Sequence, residues 1–273
     1  MPNGFQRILL ATEHTEFDQG AERVALELAR HCALPLRVVR PLVSNPEYEA
    51  LAPAVAERAA REAAKGMDEL RAQAQGVGVE LTVKVRSGEE PWREIVDEAV
   101  SAQADLLVTR RRGKRSWLAR LLVGEMVSKV VGHAPCPVLM VPRAAHMWTG
   151  GVLAAVDGSP ISAHVAQAAA VVAQRCNAPL TIACVAASEA QAEVERAQAT
   201  IFEASAAATA AGALKVNGRL LAGTVHEHLL AAADPKDLIV IGRHGYTALH
   251  GTALGGTVHK VIGLAVGPVL VVK

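Results

Sequence analysis

The sequence predicts an α/β chain in which two doubly wound, open parallel sheets of five strands each stand in tandem, with helices on both faces. Three observations predict it. The chain is written twice, each copy alternates short apolar runs with helical stretches, and the composition is that of a globular protein. Hydrophobic residues make up 51% of the 273 residues, while charges nearly cancel at a formal net +1. Basic and acidic residues number 20 and 19 up to residue 145, and 8 and 8 beyond it, so neither half is a basic module for nucleic acid or an acidic tail.

The repeat is read directly from the letters. RILLATEHT (7–15) aligns with GVLAAVDGS (151–159), and ARHCALPLRV (29–38) with AQRCNAPLTI (173–182), both at an offset of 144 residues. ADLLVTRRRG (104–113) aligns with KDLIVIGRHG (236–245) at 132, and VGEMVSKVVGHAPCPVLMV (123–141) with LGGTVHKVIGLAVGPVLVV (254–272) at 131. The second copy is therefore shorter by about a dozen residues between its second and fourth strands.

Taken in order, each copy opens on a continuous apolar run, ILLA or VLAAV, as expected of a strand buried on both faces. Helical periodicity follows in AERVALELARHC and HVAQAAAVVAQRC. The strands LRVVR and TIACV come next, then long Ala- and Glu-rich helices, then LTVKV and LKVNGRLL. A short helix leads to LLVTR and LIVIG. A glycine-rich loop, one more helix and the run PVLMV or PVLVV close each copy. Strands alternating with helices imply parallel pairing through crossovers. PRAAHMWTGG (142–151) is the join, so the domains are placed at 1–145 and 149–273.

Several classes are disfavoured. The start MPNGFQRILLA lacks a basic region followed by a long apolar one, and no apolar run reaches about 20 residues. No signal peptide or membrane span is expected, and the expected location is cytoplasmic. Cys32, Cys136, Cys176 and Cys184 show no CxxC or zinc spacing and read as small buried hydrophobes, with a redox role as the alternative. G-x-x-x-x-G-K-[ST], G-x-S-x-G and G-x-G-x-x-G are all missing, which argues against P-loop ATPases, serine hydrolases and Rossmann dehydrogenases.

The stretch IGRHGYTALHGTALGGTVHKVIG (241–263) holds six glycines and runs into an apolar helix. Glycine permits positive φ and lets a ligand approach the main chain. N–H groups opening a helix lack internal partners and face the positive end of its dipole, so Gly255, Gly256 and the helix after them could receive phosphate. Thr257 could add a hydroxyl or cap the helix. GxxG by itself is weak, and loop glycines are commonly only turns. Asp157, in AVDGS, follows the first strand, where a carboxylate could accept from an amine or a ribose hydroxyl. Its plain alternative is a turn residue with Ser159 capping the next helix. Val185 ends the second strand, where main-chain groups could pair with a base edge. Ligands of doubly wound sheets bind at such strand ends.

VDGS after a first strand, GRHG, nine residues, a Gly pair and a closing PVLVV together resemble the universal stress proteins, over both halves of the chain. The resemblance implies a Rossmann-like fold of the adenine-nucleotide-binding type, with ATP bound in many members. It assigns Asp157 and Val185 to adenosine, with Ala155 beneath. It assigns Gly242, Arg243, His244 and Gly245 to ribose and phosphates, and Gly255, Gly256, Thr257 and Val258 to the phosphate cradle. Gly256 departs from the Ser or Thr usual in ATP-binding members, which removes one hydroxyl contact. The resemblance also implies that PVLMV and PVLVV, edge strands that need covering, pair across the two domains.

The first copy carries changes at the same positions. Glu13 stands for Asp157, Pro41, without an N–H, for Val185, and Arg110 for Gly242. The loop from Gly113 to Gly124 holds ten residues rather than nine, and Glu125 replaces Gly256, where a carboxylate repels phosphate. Together these changes predict a degenerate first site. RRRGKR (110–115), with Arg120 beyond, reads as a solvated basic loop or a site for some other anion, not as a DNA-recognition element. His244, His250 and His259 read as loop and helix-surface residues, since no acidic partner is spaced to orient them.

The expectation is therefore a cytoplasmic sensor or signalling protein, not an enzyme, although slow ATP hydrolysis stays open. It binds ATP, or ADP or AMP, in its second domain, with Mg2+ as an optional companion. A homo-oligomer and a protein partner are compatible with this reading, whereas specific nucleic acid and membrane are not expected. The alternative is an interaction protein with both sites decayed, which Gly256 keeps open.

Overall fold

The structure is a computed structural model describing residues 4–111, 124–245 and 254–273. Among these residues the first half runs β1 (Ile8–Ala11), α1 (Gln19–His31), β2 (Leu36–Val43), α2 (Pro46–Leu51), α3 (Pro53–Gly76), β3 (Leu81–Gly88), α4 (Pro91–Ser101), β4 (Leu106–Arg110), α5 (Glu125–His133) and β5 (Val138–Val141). The second runs β6 (Val152–Val156), α6 (Ser162–Arg175), β7 (Leu180–Ala186), α7 (Gln191–Ala210), β8 (Val216–Ala222), α8 (Val225–Ala232), β9 (Leu238–Gly242), α9 (Gly256–Leu264) and β10 (Val269–Val272). The apolar runs ILLA, VLAAV, LLVTR and LIVIG coincide with β1, β6, β4 and β9.

Alternation along the strands sends side chains to two separate cores. On β6, Val152, Ala154 and Val156 enter one core and Leu153 and Ala155 the other, and β10 divides Leu270 and Val272 from Val269 and Val271 in the same way. Each core continues through both halves of the chain. Helix α1 buries Ala21, Val24, Ala25, Leu28 and Ala29, the spacing of one helical face, and α6 does likewise with Val165, Ala166, Ala169, Val172 and Ala173.

The two five-stranded sheets are joined edge to edge into one ten-stranded sheet, β3-β2-β1-β4-β5-β10-β9-β6-β7-β8. Pairing is parallel within each half and antiparallel at the junction, where Met140, Leu139 and Val138 face Val269, Leu270 and Val271. Both edge strands consist wholly of buried apolar residues, so pairing them hides apolar side chains and satisfies two rows of main-chain groups at once. The join does not hang free. Arg23 donates to the carbonyl of Ala145 at 2.9 Å, the N–H of Met147 donates to Glu27 at 2.7 Å, and Trp148 is buried.

Candidate functional site

Within the second half the chain steps from β6 to β7 to β8 in one direction and from β9 to β10 in the other, so the order reverses between β6 and β9. Neighbouring crossovers leave in opposite directions there, and a crevice opens beyond the carboxyl ends of the strands. A cleft of about 900 Å³ lies at this point. The sequence signal brings together Ala155, Asp157, Val185, Gly242, His244 and Gly245 on its walls, with Gly255, Gly256, Thr257 and Val258 closing it from the start of α9.

Local chemistry accounts for each position. Asp157 directly follows β6, and its Oδ1 accepts from the N–H of Ser159 at 3.0 Å and from the hydroxyls of Ser159 at 2.5 Å and Ser162 at 3.2 Å. This is the turn alternative and the cleft position at once. Gly158 supplies the positive φ of that turn, +76°, and packs a hydrogen where a Cβ would stand 3.0 Å from Thr200 Oγ1. Ser159 does not cap α6, whose N-cap is Ile161. Instead its hydroxyl is spent on Asp157. Val185 lies one residue beyond the last β6 pairing, Val156 with Cys184, and so extends past the end of β6 along the cleft wall.

The loop glycines serve close approach rather than positive φ. None of Gly242, Gly245, Gly255 and Gly256 has a positive φ. A Cβ at Gly242 would stand 2.8 Å from Ile161 Cγ2, and one at Gly245 would stand 2.9 Å from Asp157 Oδ2. At Gly256 a Cβ would meet nothing within 4 Å, so the position opens into the cleft. Helix α9 begins after Gly255, which is its N-cap, and no side chain caps it. Thr257 therefore sits inside the first turn and is not the cap that its sequence position suggested. The N–H groups of that turn have no partner within the helix.

Arg243 is the sequence-predicted residue that does not reach the cleft. Its guanidinium turns to the other half of the molecule, where Nη1 donates to the carbonyl of Gly132 at the end of α5 at 2.5 Å. Its Nε donates to His244 Nε2 at 3.1 Å, which orients the imidazole on the cleft wall. Arg111, its counterpart in the first copy, donates to the carbonyls of Ile262, at 2.7 Å, and Ala265. Each half thus caps the last helix of the other.

The cleft also has a wall that the sequence reading did not assign. Glu193, Arg196, Thr200 and Glu203 of α7 line it, as do Val225 and Leu229 of α8. The α7 residues recur at helical spacing, a legible stripe, but spacing does not say which way a stripe faces. Among the described residues no group of three or more His, Cys, Asp or Glu is placed to hold a metal ion. His259, in the first turn of α9, has its pKa lowered by burial. His250 and Gly251 lie outside the described residues.

In the first half the equivalent crevice, between β1 and β4, is filled by side chains. Arg110 is 4% exposed, and it donates to Asp18 at 2.8 Å, Thr15 at 3.1 Å and Glu13 at 3.0 Å. Arg40, at the position of Cys184, is also drawn in. Burial lowers its pKa, against the opposing pull of Glu13, Asp18, Glu22 and Glu62. Helix α3 closes over the cluster at Gly66, where a Cβ would stand 3.0 Å from His14 and 3.3 Å from Arg40. Pro41 is tolerated inside β2 because β1 ends at Ala11, paired with Val39, leaving no ladder bond there for its missing N–H to make. Glu125 begins α5 and pairs with Lys129 at 3.0 Å. The solvated-loop reading of the basic run is corrected at its start, since Arg110 is buried and Arg111 reaches across the junction. Arg112, Gly113, Lys114, Arg115 and Arg120 lie outside the described residues.

Fold and site together define a tandem doubly wound α/β protein in which, among the described residues, the second crevice is open and the first is filled by its own arginines. Comparison with known proteins agrees. The profile of the universal stress protein family matches twice, over residues 4–142 and 150–273, and the chain belongs to that family. A universal stress protein of Thermus aquaticus is 31% identical over 138 residues, half of this chain and 98% of the relative. One from Methanocaldococcus jannaschii is 27% identical over 146 residues, 52% of this chain and 84% of the relative. The crystal structure of a universal stress protein from Archaeoglobus fulgidus matches with a TM-score of 0.78 at 19% identity, covering 98% of each chain, a likeness of fold.

Proposed function

We propose that the second domain binds an adenine nucleotide, ATP or else ADP or AMP, and that the chain acts in the cytoplasm as a nucleotide-dependent sensor in a stress response. The first domain is then its structural partner. One observation carries this reading: the cleft of about 900 Å³ sits at the strand reversal of the second sheet, while Arg110 fills the corresponding place in the first. That volume falls within the range of about 300–1,000 Å³ usual for small-molecule sites. The lining suits the ligand in parts. Asp157 and the main chain at Val185 would hold adenosine, and the opening of α9 with Gly255, Gly256 and Thr257 would receive phosphates. Mg2+, where it accompanies the nucleotide, would be held chiefly by phosphate oxygens and water. We read the crevice as a binding site rather than an active site, with occupancy shifting a conformation that a partner recognises.

Calorimetric titration of the purified chain with ATP tests this, together with acid extraction to find any nucleotide already bound. The expected result is one nucleotide per chain and a rise in thermal midpoint with ligand concentration. Asp157→Ala should bind about tenfold to a hundredfold more weakly, as expected for losing a hydrogen bond to a charged group. Neither heat nor thermal shift in the wild type would favour an interaction module with both sites decayed.

A further inference from the structure

Cys32 and Cys176 occupy the same position in the two copies, and the fold brings them face to face. Each is the C-cap of its helix, Cys32 donating its N–H to Leu28 and Cys176 to Val172, both at 2.9 Å. Helices α1 and α6 lie on the same face of the sheet, and both cysteines pack against the core that the two domains share. The two thiols are close enough for each to be the first influence on the other's ionisation, and the linker holds α1 beside the start of the second domain, the N–H of Met147 donating to Glu27 at 2.7 Å. A third group marks the spot. The buried indole of Trp148 also bears on the Cys176 thiol, and its N–H has no hydrogen-bond partner among the described residues.

We infer that Cys32 and Cys176 form a peroxide-responsive dithiol that closes to a disulfide between the two domains of one chain. Both residues are half-buried, whereas Cys136 and Cys184 are buried, Cys184 on the wall of the cleft, so this pair is the more exposed to a small oxidant. The pair also has the more reactive sulfur. The thiol of Cys32 is lowered, first by the neighbouring Cys176 thiol and further by the Arg175 guanidinium, with burial opposing. Burial pushes Cys136 up to about 12 and Cys184 up to about 11. The thiolate is the nucleophile, so these two are inert at neutral pH.

The chemistry balances with a hydroperoxide as oxidant. The Cys32 thiolate attacks the peroxide, the O–O bond breaks, and the sulfur becomes a sulfenic acid while hydroxide leaves and takes a proton. The Cys176 thiol gives up its proton and attacks that sulfur, an S–S bond forms, and the oxygen departs as water. In sum, two thiols and one hydrogen peroxide give one disulfide and two waters. In a reducing compartment the dithiol is the resting form.

The test uses the full, reduced chain, treated with a small molar excess of hydrogen peroxide, alkylated, and digested without reductant for mass spectrometry. The expected product is a Cys32 peptide joined to a Cys176 peptide, two hydrogens lighter than their sum. It comes with loss of two of the four titratable thiols and recovery of both on reduction. Cys32→Ser and Cys176→Ser should each abolish the link, and Cys136→Ala with Cys184→Ala should leave it in place. Because the wild-type peptide map needs no variant to fold, it decides alone. Free thiols after treatment, separate sulfinic acids at Cys32 and Cys176, or links in any other pairing would overturn the inference.

Discussion

At the scale of single residues, the two crevices differ because one side chain replaced a hydrogen atom. Gly242 keeps the second crevice clear, since a Cβ there already presses Ile161 at 2.8 Å. Arg110, at the same position in the first copy, fills its crevice and forms a buried cluster with Asp18 and Glu13. Removing one partner of such a pair strands the other, so Arg110→Ala should destabilise the chain by about 3 kcal/mol, read from urea unfolding. Asp18, 1% exposed, is the charge that would be stranded. An Arg110→Ala variant that unfolds with wild-type stability would show that the cluster is solvated. Gly245 makes the opposite case. Valine there would push the Asp157 carboxylate aside without backbone strain, because φ is not positive. Gly245→Val should therefore lose nucleotide binding and still unfold cooperatively. Retained binding would reduce this glycine to an ordinary turn.

At the scale of elements, the junction is more than the pairing of β5 with β10. The last helix of each half ends on carbonyls with no partners within it, and an arginine from the other half supplies donors to them. Arg111 serves α9 and Arg243 serves α5. This separates two roles for Arg243 that the sequence could not separate. As a clamp between domains, Arg243→Ala should cost about 1–3 kcal/mol of stability, the worth of a hydrogen bond to a charged group. Nucleotide affinity should change little beyond the loss of its hydrogen bond to His244. If affinity collapses while stability holds, the side chain belongs to the phosphates instead. Element positions were otherwise legible, because buried parallel strands are short apolar runs and helix faces repeat at 3.6 residues. The direction of a side chain just past a strand end was not, since neither period extends into a loop.

At the scale of the whole molecule, the two copies differ in their crevices, one open and one occupied by Arg110. Making the second crevice resemble the first should remove the ligand without dismantling the sheet. The double variant Gly242→Arg, Gly256→Glu carries the arginine and the helix-start carboxylate of the first copy. It should give no heat on titration with ATP, where the wild type gives a stoichiometry near one. The wild type should gain about 2.7 kcal/mol of stability at a hundredfold excess over the dissociation constant, and the variant none. Two sites per chain in the wild type would mean that Pro41, Arg110 and Glu125 do not disable the first domain.

The sequence by itself determined the duplication, the order of strands and helices, and the strand ends and glycine loop that meet at the second crevice. These are local or periodic facts, encoded in apolar alternation, in glycine placement and in an offset between two stretches of letters. Tertiary structure decided what depends on direction and distance across the chain. It joined the two sheets into one, turned Arg243 away from the cleft, drew Arg40 and Arg110 into the first crevice, and set Cys32 against Cys176 although 144 residues separate them. Such contacts are chosen by packing the halves about their shared edge, where burying apolar strands and satisfying helix ends outweigh the preferences of any single segment.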